Sequence, residues 1–248
     1  MSRSVVIVGA GITGLTCAHR LVTDHPDLDV TVLESSDRAG GRIRTTPIAG
    51  IVVDEGADAF LARVPAAVAL CRELGLGDEL VTPAERRAFV YRHGALRRFP
   101  EGLVLGVPTD LAAPGLTDLL SPEGIARAAE DLDLPREIDG APPIGEDETV
   151  GSLVRRRVGD EIMDAIVGPL LSGVNAGDAD ALSVEAGAPQ FAAAVRDQPS
   201  LIAGLRAQRE AALRANPDPA APVFYGLRGG TQTPVSYTHL TLPTILRV

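Results

Sequence analysis

Near the start of the chain, the apolar run Ser4-Val5-Val6-Ile7-Val8 leads straight into Gly9-Ala10-Gly11-Ile12-Thr13-Gly14, and a helical pattern follows from Leu15 to Val22. No other stretch constrains the fold as much. A continuous β-branched run predicts a central parallel strand covered on both faces. In the turn, Gly9 permits the tight bend, Gly11 lets a pyrophosphate approach the backbone, and Gly14 lets the helix pack closely on the strand. The helix N-terminus then offers free N–H groups and a partial positive charge to phosphates. Arg3 and the apolar residues to Ala18 imitate a secretory leader, but glycines at this spacing read better as the turn. A second strand, Asp29-Val30-Thr31-Val32-Leu33, ends in Glu34, which lies ~20 residues past the last glycine and closes a βαβ unit of about 30 residues. A carboxylate there accepts hydrogen bonds from a ribose diol and repels a 2′-phosphate, so NADP is disfavoured while nicotinamide and flavin dinucleotides both fit. Gly9, Ala10, Gly11, Ile12, Thr13, Gly14 and Glu34 are the first candidate cofactor contacts.

Composition limits what such a unit can belong to. The 248 residues are 45% hydrophobic, ample for a packed core, and suggest one large domain or two small ones. Acidic residues outnumber basic ones 33 to 23, for a net charge of −10. That balance argues against a nucleic-acid surface, which needs an excess of cations, and offers no attraction to anionic lipid. An amphipathic patch in the middle of the chain is the remaining route to a membrane surface. Every basic residue is Arg, so an anion site must use a guanidinium or a backbone amide. Cys17 and Cys71 cannot build a disulfide framework and read as small core residues, and four scattered histidines give no metal spacing. No apolar run approaches the ~18 residues of a membrane span.

The segment after Glu34 separates the two cofactor classes. It reads Glu34-Ser35-Ser36-Asp37-Arg38-Ala39-Gly40-Gly41-Arg42-Ile43-Arg44-Thr45. This resembles the flavin-dependent amine-oxidase-like superfamily, whose second strand ends E-x-x-x-R-x-G-G-R-x-x-T, with every fixed position present. The resemblance implies FAD as the cofactor, with Ser35, Arg38, Gly40, Gly41 and Arg42 among its contacts. The other reading of Arg38 and Arg42 is two solvated charges after a turn. Further on, Ile51-Val52-Val53 reads as a short strand before Asp54-Glu55-Gly56-Ala57-Asp58-Ala59-Phe60. In the superfamily a glycine-containing turn here passes along the flavin, which adds Gly56, Ala57, Asp58 and Ala59. Asp54 and Glu55 read alone are a polar turn.

In the middle of the chain, Val68, Leu70, Cys71 and Leu74 keep helical spacing between Pro65 and Leu76. Phe89-Val90-Tyr91 reads as a strand, Arg92-His93-Gly94 as a hairpin turn, and Ala95 to Pro100 as the returning strand. Ser121-Pro122-Glu123 is a helix start. Leu134 to Glu148, rich in Pro and acids, reads as a surface loop before a helix pair from Val150 to Leu171. Arg155-Arg156-Arg157 reads as a solvated helix face, with a site for substrate carboxylates as the other reading. Gly173 and Gly177 read as helix-ending glycines.

From Arg155 to Glu161, then Gly168-Pro169-Leu170-Leu171-Ser172-Gly173-Val174-Asn175-Ala176-Gly177-Asp178, then Leu182-Ser183 and Pro189-Gln190-Phe191, the chain looks like a series found in the protoporphyrinogen/coproporphyrinogen oxidases. Pro100 to Thr109 looks more like the Gram-positive and actinobacterial coproporphyrinogen form. The resemblance implies a cytoplasmic enzyme of heme biosynthesis. Its reaction removes six electrons from a porphyrinogen by hydride transfer to FAD, and dioxygen reoxidises the flavin to give hydrogen peroxide. The cofactor carries that chemistry, so no side chain here is assigned a catalytic role. Another flavin oxidase of the superfamily, such as an amine oxidase or carotenoid desaturase, is the nearest alternative, and a non-functional truncated fragment is the other.

Val223 to Gln232 resembles the family's F-x-x-L-x-G-G-x-Q segment, which lies about halfway along a full member. Val235-Ser236-Tyr237-Thr238-His239-Leu240-Thr241-Leu242-Pro243-Thr244 instead looks like a translated transposon end and sequencing adapter. The expected fold is therefore α/β: a truncated Rossmann-like FAD-binding domain with an inserted α+β substrate lobe. The expected division is residues 1–80 for the start of the flavin domain, 81–234 for an incomplete substrate lobe and 235–248 for an artefact tail. Such a fragment should leave an apolar sheet edge unpaired and retain flavin weakly or not at all.

Overall fold

The computed structural model describes residues 3–85, 87–134, 148–215, 218, 221–236 and 245–247. Most of the expected loop at 134–148, and residues 237–244 and 248 of the expected tail, lie outside the described residues. In chain order the strands are β1 (Ser4–Val8), β2 (Asp29–Glu34), β3 (Thr45–Ile48), β4 (Ile51–Asp54), β5 (Phe60–Leu61), β6 (Leu80–Val81), β7 (Phe89–Arg92), β8 (Ala95–Arg98), β9 (Leu103–Val104), β10 (Val107–Pro108), β11 (Phe224–Leu227) and β12 (Ile245–Arg247). The helices are α1 (Ile12–Asp24), α2 (Pro65–Glu73), α3 (Pro122–Ala129), α4 (Val150–Val158), α5 (Asp160–Ile162), α6 (Gly168–Asn175), α7 (Val184–Gly187), α8 (Pro189–Asp197) and α9 (Leu201–Ala215).

Two compact units divide the chain. The first joins residues 1–85 to 220–248, and the second, 86–219, is inserted between them. The division differs from the one drawn in sequence order at 80 and 234. Its cause is β11, which pairs antiparallel with β5 (Phe224↔Leu61) and with β6 (Leu227↔Leu80), so the returning segment lies with the first unit.

In the first unit β1 and β2 run parallel in the register Val5↔Val30 and Ile7↔Val32. The crossover helix α1 buries Leu15 and Ala18 with Ala10, Val30, Val32 and Val235. Gly14 sits where α1 meets the strand: a Cβ there would stand 2.0 Å from the Gly9 carbonyl oxygen. The sheet order is β1-β2-β12. Among the described residues β1 is thus an edge strand covered on one face, not the central two-faced strand its composition predicts, and Val6 and Val8 are 58% and 85% exposed. Among the described residues α1 packs with Ala39, Ile43 and Val235 on the Val30 and Val32 face of this sheet, while Val6 and Val8 stand on the other face, which explains the difference. Cys71 is buried with Leu76 and Leu227, as expected, and burial pushes its thiol pKa up. Cys17 is exposed on α1, outside the Leu15 and Ala18 stripe, which corrects its reading as a core residue.

The second unit is mostly helical and holds the larger core, centred on Leu153, Ile162, Ile166, Phe191, Leu201 and Leu205. Three of its helices, α3, α4 and α7, begin on a side-chain cap. Ser121 accepts from the Gly124 N–H, Thr149 from the Ser152 N–H and Ser183 from the Ala186 N–H. Asp131, itself buried, accepts from the Leu201 and Ile202 amides and from Ser200 Oγ at the start of α9. The β7–β8 hairpin turns through His93 and Gly94, both at positive φ, the geometry that suits a two-residue turn. Between α5 and α6 the helix widens into a π turn over Met163–Val167, just before Pro169, which lacks an N–H to give. The exit of α6 is not made by a glycine: Ala176 takes the left-handed conformation at φ 50°.

Candidate functional site

The site is built on the carboxyl ends of β1 and β2, where open parallel sheets hold their ligands. Gly9 turns the chain at φ +99°, and its N–H donates to the Leu33 carbonyl at 2.7 Å, locking the turn to the second strand. A Cβ built on Gly11 meets nothing within 4 Å. Above Gly11 there is open space that a methyl group would fill, beside a helix start with no side-chain cap and no acid in its first turn. The amides of that turn have no intrahelical partner. Such an arrangement suits a phosphate.

Glu34 closes the other side. Its Oε2 accepts the Ala10 N–H at 2.7 Å, and its Oε1 accepts the Ser36 N–H and Ser36 Oγ, each at 2.9 Å. These bonds, the Ser36 amide first and the Ala10 amide next, hold its carboxyl at a pKa of about 2 against an ordinary 4.5. An ionised carboxylate has about four acceptor positions, so Oε2 keeps one for a diol. A cleft of about 180 Å³, lined by Val8, Gly9, Leu33, Glu34 and Ser35, opens beside it. A larger cleft of about 520 Å³ lies at the opposite strand ends, among Arg3, Val5, Leu21, His25 and Leu28. The smaller one is the candidate, because it abuts the glycine turn and the fixed carboxylate.

The Arg38–Arg42 loop returns onto this turn. The Gly40 N–H donates to the Ala10 carbonyl at 2.7 Å, and a Cβ on Gly41 (φ +58°) would lie 3.2 Å from the Gly11 Cα. Sequence spacing gives no hint of this contact, which brings two motifs about 29 residues apart into one surface. Within it the two arginines have different work. The Arg38 guanidinium donates to the carbonyls of Ala39, Gly41 and Ile43 and so ties the loop. Arg42 is exposed and has no ion pair among the described residues, leaving it available to an anion.

Asp54 is the residue that sequence reasoning missed, having read it as part of a polar turn. Its carboxylate accepts from Thr45 Oγ1 and, at 3.0 and 3.1 Å, from the Thr231 N–H. Gln232 completes the clasp, its Oε1 accepting the Thr45 N–H at 2.9 Å and its N–H donating to Thr45 Oγ1 at 3.1 Å. Thr231 Oγ1 reaches the Ala57 carbonyl at 2.8 Å, inside the Gly56–Ala59 turn. The available signal was the polar identity of Thr45 and Gln232 in the two motifs, but nothing in the spacing pairs them. Glu55, by contrast, forms an exposed ion pair with Arg44 at 3.0 Å.

In the second unit the three consecutive arginines are all engaged. Arg155 pairs with Asp180, Asp164 and Asp160, and Arg156 with Glu148. Arg157 is only 7% exposed and donates to the Pro199 carbonyl at 2.7 Å, so neither the solvated-face nor the carboxylate-site reading holds for it. Val104 packs against the apolar core.

The sequence matches the flavin containing amine oxidoreductase family over residues 12–238. It is 39% identical over 211 residues to the coproporphyrinogen III oxidase of Bacillus subtilis, covering 84% of this chain and 44% of that protein. It is 38% identical over 234 residues to the enzyme of the same name from Mycobacterium tuberculosis, covering 93% and 49%. To the chloroplastic protoporphyrinogen oxidase 1 of Arabidopsis thaliana it is 37% identical over 233 residues, covering 91% and 41%. Among solved structures, putrescine oxidase superposes with a TM-score of 0.60 at 20% identity, covering 100% of this chain and 51% of that one, a likeness of fold. The chain spans about half the length of the curated relatives it matches.

Proposed function

We propose a function that starts from one premise: this chain belongs to the flavin containing amine oxidoreductase family. The dinucleotide held at the β1–β2 crest is FAD. Gly9, Ala10, Gly11, Ile12, Thr13 and Gly14 hold the pyrophosphate, and Glu34 with Ser35 holds the adenosine ribose. The Gly40-Gly41-Arg42 loop and the Gly56, Ala57, Asp58, Ala59 turn flank the rest. Arg38 acts through the loop it ties. Bound FAD supplies a hydride acceptor. The chain's own part is position and charge: Glu34 stays ionised and fixes the ribose, the α1 amides and Arg42 offset the phosphates, and the Asp54 clasp steadies the turn behind Ala57.

In this reading the parent enzyme works in the cytoplasm on a porphyrinogen, coproporphyrinogen III by preference, with dioxygen as the final acceptor and hydrogen peroxide as co-product. The inserted unit, 86–219, forms its substrate lobe. The observation that carries the reading is the seating of the Gly-Gly-Arg loop on the glycine turn, which joins the two flavin motifs. No helix among the described residues is long and apolar enough to cross a membrane. The test is anaerobic reduction of the flavin in the full-length parent enzyme. Coproporphyrinogen III should bleach it in a single exponential and amines should not. Bleaching by amines, or none by the porphyrinogen, refutes the substrate assignment.

A further inference from the structure

The Gly56–Ala59 turn hangs from a single side-chain bond. Among the described residues none of its amides donates to another residue, and the bond that reaches it runs from Thr231 Oγ1 to the Ala57 carbonyl at 2.8 Å. Thr231 is placed to hold that carbonyl still. It is only 8% exposed, and its own N–H is given to both oxygens of Asp54, at 3.0 and 3.1 Å. Asp54 in turn accepts from Thr45 Oγ1, which takes the Gln232 N–H at 3.1 Å. The surroundings leave little play. A Cβ on Gly230 (φ +84°) would stand 2.9 Å from Asp54 Oδ1, and one on Gly226 would stand 3.2 Å from the Asp58 carbonyl oxygen.

A trans peptide is planar, with its C=O and its N–H on opposite sides, and no peptide among the described residues is cis. Holding the Ala57 carbonyl on Thr231 therefore points the Asp58 N–H away from Thr231, on a residue that is exposed. Donation into the carbonyl also polarises the peptide and strengthens that N–H as a donor. We propose that Thr231 is a positioning residue for the flavin: its hydroxyl sets the Ala57–Asp58 peptide so that the Asp58 N–H donates to an acceptor atom of the flavin ring. The inference rests on the placing of FAD at the glycine turn, and it adds a residue that touches no cofactor atom and acts through one peptide. A purely solvated turn accounts for less. Water would satisfy the Ala57 carbonyl at an exposed position, with no call for a hydroxyl from a buried residue of the returning segment.

The test reads the Asp58 amide by NMR exchange in the 248-residue chain, alone, with saturating ADP and with saturating FAD. ADP carries the adenosine and the diphosphate without the flavin, so it should protect Gly11–Gly14 and leave Asp58 free. FAD should protect both and slow Asp58 exchange about tenfold. Thr231→Val keeps the shape of the side chain and the N–H bond to Asp54 but removes the hydroxyl. It should abolish the FAD-specific protection of Asp58, weaken FAD about threefold to tenfold and retain the protection of Gly11–Gly14, and Thr231→Ser should behave as the parent chain. A Thr231 that serves the fold alone would lower the melting temperature of the Val variant and leave FAD-specific protection at Asp58, which overturns the proposal. So does protection of Asp58 by ADP, FAD protection of Gly11–Gly14 with none at Asp58, or a Ser variant that behaves like the Val variant. Gly11–Gly14 left unprotected by FAD or by ADP refutes the placing of the nucleotide, and the proposal with it.

Discussion

Gly11 and Gly14 lie three residues apart in one motif, yet the structure assigns them opposite sensitivities to the same added methyl group. A Cβ at Gly14 would stand 2.0 Å from the Gly9 carbonyl oxygen and 3.4 Å from Ile7 Cγ2. Restoring a carbon–oxygen contact of about 3.2 Å requires a shift of about 1.2 Å, enough to lift the start of α1 off β1 and cost about 1–3 kcal/mol as an overpacked contact. Gly11 has φ −70° and ψ 173°, which alanine adopts freely, and nothing lies within 4 Å of its Cβ. Gly11→Ala should leave the chain's stability unchanged or raise it by about 0.4–1 kcal/mol through the unfolded state. Its methyl group would nevertheless occupy the phosphate cradle and weaken FAD at least tenfold, about 1.4 kcal/mol. Urea unfolding followed by amide exchange across residues 4–24 reads the first effect, and FAD titration by fluorescence reads the second. Equal destabilisation by the two variants, or undiminished FAD affinity in Gly11→Ala, would refute this assignment of the turn.

Other consequences concern charge, the clasp and one strained residue. Because the folded pKa of Glu34 lies below its unfolded value, the stability it contributes is present above about pH 4.5 and fades as pH falls towards about 2; a carboxyl carbon NMR titration should show a midpoint near 2, and one near 4.5 would contradict the bonds to Ser36 and Ala10. Asp54→Ala removes the acceptor for the Thr231 amide and should cost the first unit about 1–3 kcal/mol, with faster exchange at Thr231. Ala176→Gly relieves a left-handed conformation and should stabilise the second unit by about 0.5–1 kcal/mol in thermal unfolding.

What the sequence disclosed was local. The strand, turn and helix from Ser4 to Asp24 follow from β-branching, glycine spacing and helical periodicity, and the His93-Gly94 turn and the Ser121 cap follow from equally short-range chemistry. What stayed hidden was non-local. Thr45 and Gln232 are separated by 187 residues, and no periodicity pairs them. Burial of Arg157 depends on the Pro199 carbonyl, 42 residues away. The exposure of β1 could not be read from its composition, which is that of a two-faced strand; it depends on which elements are there to cover it. β12 teaches the same point from the other side. Ile245–Arg247 pairs in parallel with β2 although the segment before it reads as adapter sequence, because an open strand edge bonds through backbone groups and asks little of the side chains.

Amide exchange with and without saturating FAD measures directly where FAD would sit. Besides the Asp58 amide, protection is predicted at two separate places, the amides of Gly11–Gly14 and those of Gly41 and Arg42, with Ser36 and Gly40 unchanged because their N–H groups are already held by Glu34 and by the Ala10 carbonyl. Protection confined to the cleft at Arg3, Leu21 and His25, or none at the glycine turn while FAD is bound, would contradict this placing of FAD.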